Sequence, residues 1–442
     1  MPYLVHSPED RAAMLASIGA ASMEPLLADI PASLRVARLD LPDGLSETEA
    51  MGRIRSLAGR NRVFEDRLTF RGGGVYRRFI PAAVPAVTSK GEFYTAYTPY
   101  QPEASQGWLQ AIFEFQTMIA QLTAMDVANA SLYDGATAVA EAAMMAVVHT
   151  GRDKVLVAGY LHPEYEETLR GFAKGRKFHV LHHRPKGGVL TAEELEAELH
   201  DGIAAVIFQQ PNFLGLVEDA AALTAAAHAH GALAIASVDP ISLALLAAPG
   251  EYGADIAVGE GQQLGLAPSF GGPHVGFMAC RTELIRRLPG RLVGQAFDGQ
   301  GRRGFVLTLQ AREQHIRREK ATSNICTNHA LCALAATVYL TYMGPDGLHS
   351  IAATSLSRAH HLAEGLGRLP GFQPAFPDAS FVNEFPLRVE NSRQLLARLA
   401  GQGIMGGLDA GRWFPELAGV LLFCCTELND PAALDELVEA CR

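Results

Sequence analysis

Four polar stretches, each standing where a β-rich run gives way to the next segment, carry the side chains of this 442-residue chain that are best suited to hold a ligand. Ser131-Leu132-Tyr133-Asp134-Gly135-Ala136-Thr137 precedes a helical pattern, so Ser131, Asp134 and Thr137 could offer hydroxyls, amides and a helix dipole to a phosphate. The same residues also read as an ordinary capped helix start. His162, in Tyr160-Leu161-His162-Pro163-Glu164, could stack on a planar ring, or it is a structural loop histidine. Asn212, in Gln209-Gln210-Pro211-Asn212-Phe213-Leu214-Gly215, could hydrogen-bond a ligand, or the stretch is a plain turn around Pro211-Asn212. Asp239 closes the apolar run 232–238 and sets a carboxylate where a cationic ring nitrogen would need its counter-ion.

The elements that must position these groups follow from periodicity. Short β-rich runs at 154–158, 177–181, 204–208 and 232–238 alternate with alanine-rich helical patterns at 138–149, 192–199 and 220–230. That alternation predicts a mostly parallel sheet covered on both faces, with ligands beyond the carboxyl ends of its strands. Before it, residues 1–70 read as an N-terminal helical arm, with Ser7-Pro8-Glu9-Asp10 and the capping box Ser46-Glu47-Thr48-Glu49 as start signals. Residues 71–107 lose periodicity and are rich in Gly, Pro and Tyr, the pattern of a long ordered loop that covers something. Helices are expected at 311–342 and 352–368. Strands at 381–389 and 419–425 with helices at 392–401 and 431–440 indicate a smaller α+β domain. The expected division is an arm at 1–70, a large α/β domain at 71–340 and a small domain at 341–442.

Composition removes several classes of function. A net charge of −10 argues against nucleic acid, which demands a concentrated positive face. The six cysteines show neither a CxxC pair nor a metal-ligand spacing, so no metal site is expected and the thiols read as reduced. The longest apolar run, 330–340, falls short of the ~20 residues of a membrane span. Glu9, Asp10 and Arg11 interrupt any apolar leader, and a cytoplasmic location is the expectation.

Phosphate loop, ring-stacking histidine, asparagine turn, aspartate and then the glycine turn Gly271-Gly272-Pro273 form an order similar to that of fold type I pyridoxal-phosphate enzymes. Such enzymes hold the cofactor as a Schiff base to a lysine. Here Gly259-Glu260-Gly261-Gln262-Gln263 stands in the lysine's place, and none of the six lysines lies between Asp239 and the glycine turn.

The run Glu92-Phe93-Tyr94-Thr95-Ala96-Tyr97-Thr98-Pro99-Tyr100-Gln101-Pro102-Glu103-Ala104-Ser105-Gln106-Gly107 resembles the N-terminal half of the glycine-cleavage P-protein family. So does Arg312-Glu313-Gln314-His315-Ile316-Arg317-Arg318-Glu319-Lys320-Ala321-Thr322-Ser323-Asn324-Ile325-Cys326-Thr327, and the likeness extends from the opening Tyr3 to Pro31 stretch to Gly271-Gly272-Pro273-His274. The length resembles the first chain, the α subunit, of the split form of this family.

The resemblance implies a fold type I large domain and a related β subunit that carries the lysine and the pyridoxal phosphate, in a hetero-oligomer for which the family suggests α2β2. It places Gln262, or Gln263 if one residue is gapped, at the lysine position, and Asp239 at the ring-nitrogen aspartate. The implied reaction decarboxylates glycine through a pyridoxal-phosphate aldimine on the partner and passes the aminomethyl group to the lipoyl arm of H-protein. This chain then has no catalytic residue of its own. Ser131, Asp134, Thr137, His162, Asn212, Asp239, Gln262 and Gln263 would line a vestigial pocket. Tyr94, Tyr97, Tyr100 and Gln101, with Thr322, Ser323 and Asn324, would complete the partner's site. Two rivals remain: a self-sufficient pyridoxal-phosphate enzyme such as a transaminase or desulfurase using an unexpected lysine, and a non-catalytic binding or scaffold protein.

Overall fold

The computed structural model describes residues 5–36 and 39–442; Tyr3 of the opening motif lies outside them. The chain forms two units, one ending at Val63 and one beginning at Phe64. In the first, helices Pro8–Ser17 and Glu47–Ala58 start at the two expected signals, with reciprocal side-chain and backbone hydrogen bonds between Ser7 and Asp10 and between Ser46 and Glu49. Neither helix buries a residue, and Met14, Ile18, Met51, Ile54 and Leu57 are exposed.

The second unit is built on a seven-stranded sheet of β1 (Val127–Ala128), β2 (Lys154–Ala158), β3 (His179–His183), β4 (Ile203–Gln210), β5 (Leu233–Val238), β6 (Ile256–Glu260) and β7 (Gly276–Cys280). Its order is β1-β7-β6-β5-β4-β2-β3, parallel from β3 through β6 and antiparallel at β7 and β1. Strand side chains alternate between faces. Leu156, Val206, Phe208, Ala234 and Ala236 therefore meet helices Gln106–Thr123, Ala220–Ala229 and the first part of Ala330–Gly367 on one side. Val155, Val157, Ile207, Ile235 and Val258 meet helices Gly135–Thr150 and Pro163–Arg176 on the other. Both faces are dry, which is why the central strands read as unbroken apolar runs.

A hairpin of β8 (Val293–Phe297) and β9 (Arg303–Leu307) packs Val293 and Phe305 against Trp108 and Ile112. The C-terminal sheet is antiparallel, ordered β10 (Phe372–Pro374), β11 (Glu384–Val389), β13 (Val420–Cys424), β12 (Leu408–Asp409). Helices Ser392–Gly401 and Pro431–Cys441 and the end of Ala330–Gly367 cover it. That last helix crosses residue 340; it breaks at Gly344, where φ is 60° and Pro345 follows.

Two expectations need correction. The helix expected from 311 begins at Ala330, and residues 310–320 form short turns instead. Left-handed Leu309 and Arg318 interrupt the helical path there. The third strand runs His179–His183 rather than 177–181, because Lys177 is left-handed and closes the preceding helix. Among the described residues no helix is long and apolar enough to cross a membrane, and no cluster of metal-ligating side chains occurs.

Candidate functional site

The strand order reverses between β2 and β4, and the carboxyl ends of β2, β4, β5 and β6 open onto the crevice expected at such a point. His162 follows β2, Gln209 and Gln210 end β4, Asp239 follows β5, and Glu260 ends β6 with Gln262 and Gln263 just after it. The crevice is filled by the chain's own residues 72–79.

That segment leaves the C-terminal sheet, where Phe70 bonds Met405 and Cys424, and crosses into the crevice. Gly74 lets it do so: its φ is +92°, and a Cβ there would lie 2.6 Å from the His162 ring. The His162 Nε2 is 2.9 Å from the Gly73 carbonyl, and the ring stacks on Tyr165 at 4.5 Å. Burial pulls this imidazole below its ordinary pKa. The face expected to stack on a ligand ring is thus spent on the protein.

Both glutamines at the lysine position are engaged with the same segment. The Gln262 amide pairs with the Tyr76 backbone, accepting from its N–H at 2.9 Å and donating to its carbonyl at 3.0 Å. Gln263 accepts from Arg78 Nε at 2.9 Å and donates to Asp239 Oδ1 at 2.8 Å. Arg78 also donates to Ser355 at 2.9 Å and pairs with Glu427 at 2.8 Å, its side chain 2% exposed. Its guanidinium provides the positive charge facing Asp239. Burial pushes the Asp239 carboxyl up, and Arg78 is the largest influence holding it down. The Tyr76 hydroxyl donates to Glu384, which also accepts from Gly73 N–H at 2.7 Å.

The expected phosphate loop is satisfied internally as well. Asp134 caps helix Gly135–Thr150 through Thr137 N–H at 2.7 Å. The Gly135 N–H, which a phosphate would need, donates to Glu260 at 3.0 Å. Burial raises this carboxyl to about 7, against the pull of the Gly135, Gln262 and Val275 amides. Ser131, fully buried with φ at 116°, accepts from Asn328 at 3.0 Å. Asn212 is an internal brace: it donates to the Gly188 carbonyl and Glu218 and accepts from Leu214 and Leu216 N–H.

The space left beside His162, Asp239 and Gln263 is about 30 Å³. That volume suits a water or two, since one water needs roughly 10–15 Å³. A phosphorylated pyridine ring does not fit that volume, none of the residues lining it is a lysine, and the Glu260 carboxyl occupies the Gly135 N–H at the helix start. Of the eight residues expected to line the pocket, His162, Asp239 and Gln263 border this remnant. The other five do not line it: Asp134 and Thr137 form a helix cap, Ser131 accepts from Asn328, and Asn212 and Gln262 are bonded to other segments of the chain. Glu260, Tyr76, Arg78, Glu384 and Glu427 escaped the sequence reading. The run Gly72-Gly73-Gly74 was the one local sign of a close backbone approach.

The other candidate group lies elsewhere in the same unit and faces outward. Tyr94, Tyr97 and Tyr100 are 68%, 77% and 60% exposed. Gln101 and Asn324 are exposed, Thr322 is partly buried, and Ser323 is 8% exposed with its hydroxyl accepting from Ile325 N–H.

Residues 1–439 match the family model described as glycine cleavage system P-protein. A relative from Moorella thermoacetica bears the name "Probable glycine dehydrogenase (decarboxylating) subunit 1"; it is 50% identical, with 100% of this chain and 99% of the relative covered. A crystal structure of glycine decarboxylase (P-protein) of the glycine cleavage system, in inhibitor-bound form, superposes with a TM-score of 0.92 at 45% identity, covering 100% and 99% of the two chains. A C-DES mutant with glycine covalently linked to its PLP cofactor shares the fold at a TM-score of 0.62 and 16% identity, over 90% of this chain and 98% of that one. The architecture is that of fold type I pyridoxal-phosphate-dependent enzymes, a large sheet with a smaller C-terminal one.

Proposed function

Because the chain belongs to the glycine cleavage system P-protein family, we propose that it is the cofactor-free subunit of a two-chain glycine-decarboxylating enzyme and completes the site of a lysine-bearing partner. The observation that carries this reading is the filled crevice. Gln262 and Gln263 have amides, which form no imine, and both are bonded to residues 76–78. The pyridoxal phosphate on the partner supplies the electron sink for loss of carbon dioxide from glycine, and the aminomethyl group leaves on the lipoyl arm of H-protein.

This chain's part is positioning and exclusion of water. Tyr94, Tyr97 and Tyr100 offer aromatic faces and hydroxyls on an open surface, and Gln101, Thr322 and Asn324 add hydrogen-bonding groups. Large exposed aromatics gathered in one loop are costly to leave in water and are suited to a facing subunit.

The test is to purify the chain alone and with its lysine-bearing partner, add pyridoxal phosphate, reduce with borohydride and map the peptides. The expected adduct is on the partner only. An adduct on any of the six lysines here, with Lys320 the first to inspect, overturns the proposal. In the assembled enzyme, Tyr97→Phe or Tyr100→Phe should lower glycine decarboxylation without dissociating the subunits.

A further inference from the structure

The residues proposed to face the partner, within 94–101 and 322–324, are far apart in sequence but meet around one buried turn, residues 288–291, beside which Thr322 and Ser323 lie. Arg312 Nη1 donates to the Leu288 carbonyl at 2.5 Å. Asn129 donates to the Pro289 carbonyl at 3.0 Å, and Ala130 N–H to the Arg291 carbonyl at 2.9 Å, which moor the turn to the end of β1. Asn328 then ties Ala130 and Ser131 to the end of the second segment.

Out of this turn the Arg291 side chain reaches Tyr100. Arg291 is 4% exposed, whereas Tyr100 is 60% exposed. Its Nη2 donates to the Tyr100 hydroxyl at 3.1 Å, with the guanidinium carbon 5.3 Å from the ring centre. Glu313, 6% exposed, faces Arg291, Arg312 and His315 and balances the buried cations.

We infer that Arg291 is a positioning residue: it fixes Tyr100 so that the phenol presents its proton to an anionic oxygen in the neighbouring subunit's site. The chemistry follows from the donor set. A guanidinium only donates, so the Tyr100 oxygen accepts from it and the phenolic hydrogen points away. A phenol polarised by a cation on one side is a strengthened donor on the other. Its natural acceptor is a carboxylate or phosphate oxygen. The inference rests on the proposal that Tyr100 faces the partner's site.

The experiment uses the assembled two-chain enzyme with Y100F, R291M, R291K and the double variant Y100F/R291M, following kcat and KM for glycine decarboxylation beside subunit assembly. A lost hydrogen bond to a charged acceptor corresponds to roughly a tenfold or greater loss in kcat/KM. Y100F and R291M should each show such a loss with assembly intact, R291K should recover part of it, and the double variant should be no worse than Y100F alone. Losses that multiply in the double variant, or an R291M enzyme with normal kinetics beside an impaired Y100F, overturn the role of Arg291 and leave the shared-site reading standing. Normal kinetics for Y100F overturn the shared-site reading itself. If R291M does not assemble, R291K is read against Y100F and Y100F/R291K by the same criteria.

Discussion

Replacing Arg78 with methionine should destabilise the subunit by about 3–5 kcal/mol, the range for removing one partner of a buried ion pair. Methionine roughly keeps the volume, so the loss is electrostatic rather than a cavity. Arg78 is 2% exposed at its side chain, and Glu427, its partner at 2.8 Å, is 13% exposed. Without the guanidinium, Glu427 and Asp239 are left as uncompensated acids, and Ser355 and the Gln263 oxygen lose a donor. At roughly 2 cal/mol/K of unfolding entropy per residue, a chain of this size loses about 3–6 °C in Tm.

The pH dependence has a definite sign. Burial already raises Asp239, and Arg78 is the main group lowering it. In R78M that carboxyl rises further, so the folded state binds its proton more tightly than the unfolded state does. Stability then falls as pH rises, and the R78M penalty should be larger at pH 8 than at pH 5. Urea unfolding of the isolated chain at both pH values, with E427Q and R78M/E427Q alongside, measures this. The double variant should lose less than the sum of the singles by about 1 kcal/mol or more, since the amide at position 427 removes one of the two acids that R78M strands. An R78M midpoint within about 1 kcal/mol of the parent at both pH values would refute the idea that this charge network holds residues 72–79 in the crevice.

Glu384 is raised from 4.5 to about 7 by burial, despite the Tyr76 hydroxyl and Gly73 N–H. Its protonated form is favoured by folding, so its contribution is full below about 4.5 and is lost as pH rises to about 7. E384Q should shrink the fall in unfolding free energy across that window by up to roughly 3 kcal/mol, read from calorimetry at a series of pH values; an unchanged slope would contradict this. Gly74→Ala should destabilise by at least about 1 kcal/mol, because its φ of +92° and the 2.6 Å approach of His162 leave no room for a methyl; an unaltered Tm would mean that the segment is not held against His162. Asn212→Ala should reduce stability by about 2–4 kcal/mol, as several buried partners lose their bonds at once; a neutral result would refute its bracing role. Cys326 is the exposed thiol, while burial raises Cys332 to about 11 and Cys280 and Cys441 to about 12. Titration of the folded isolated chain with a disulfide reagent should show one fast thiol, and two or more would contradict the buried packing.

The legible parts of the sequence were the local ones. The start signals at Ser7 and Ser46 mark real helix starts because a cap is complete within four residues. Strands Lys154–Ala158 and Ile203–Gln210, expected at 154–158 and 204–208, are recognisable because both faces are buried and their interior positions are apolar. Edge strand His179–His183 was misplaced by two residues, since three histidines carry almost no burial signal. The false helix from 311 arose from a run of good helix formers whose backbone tertiary packing bends away at Leu309 and Arg318.

What the sequence determined by itself is the alternating α/β class, the likeness to the P-protein family, and the missing lysine between Asp239 and the glycine turn. Those are properties of residue identity and of spacings within a few positions. Only the tertiary structure decided what the crevice became. Gln262 meets Tyr76 across 186 residues, Tyr76 meets Glu384 across 308, and Arg78 meets Glu427 across 349. Periodicities of 2 and 3.6 residues report which face of an element is buried and carry no information about which distant segment covers it.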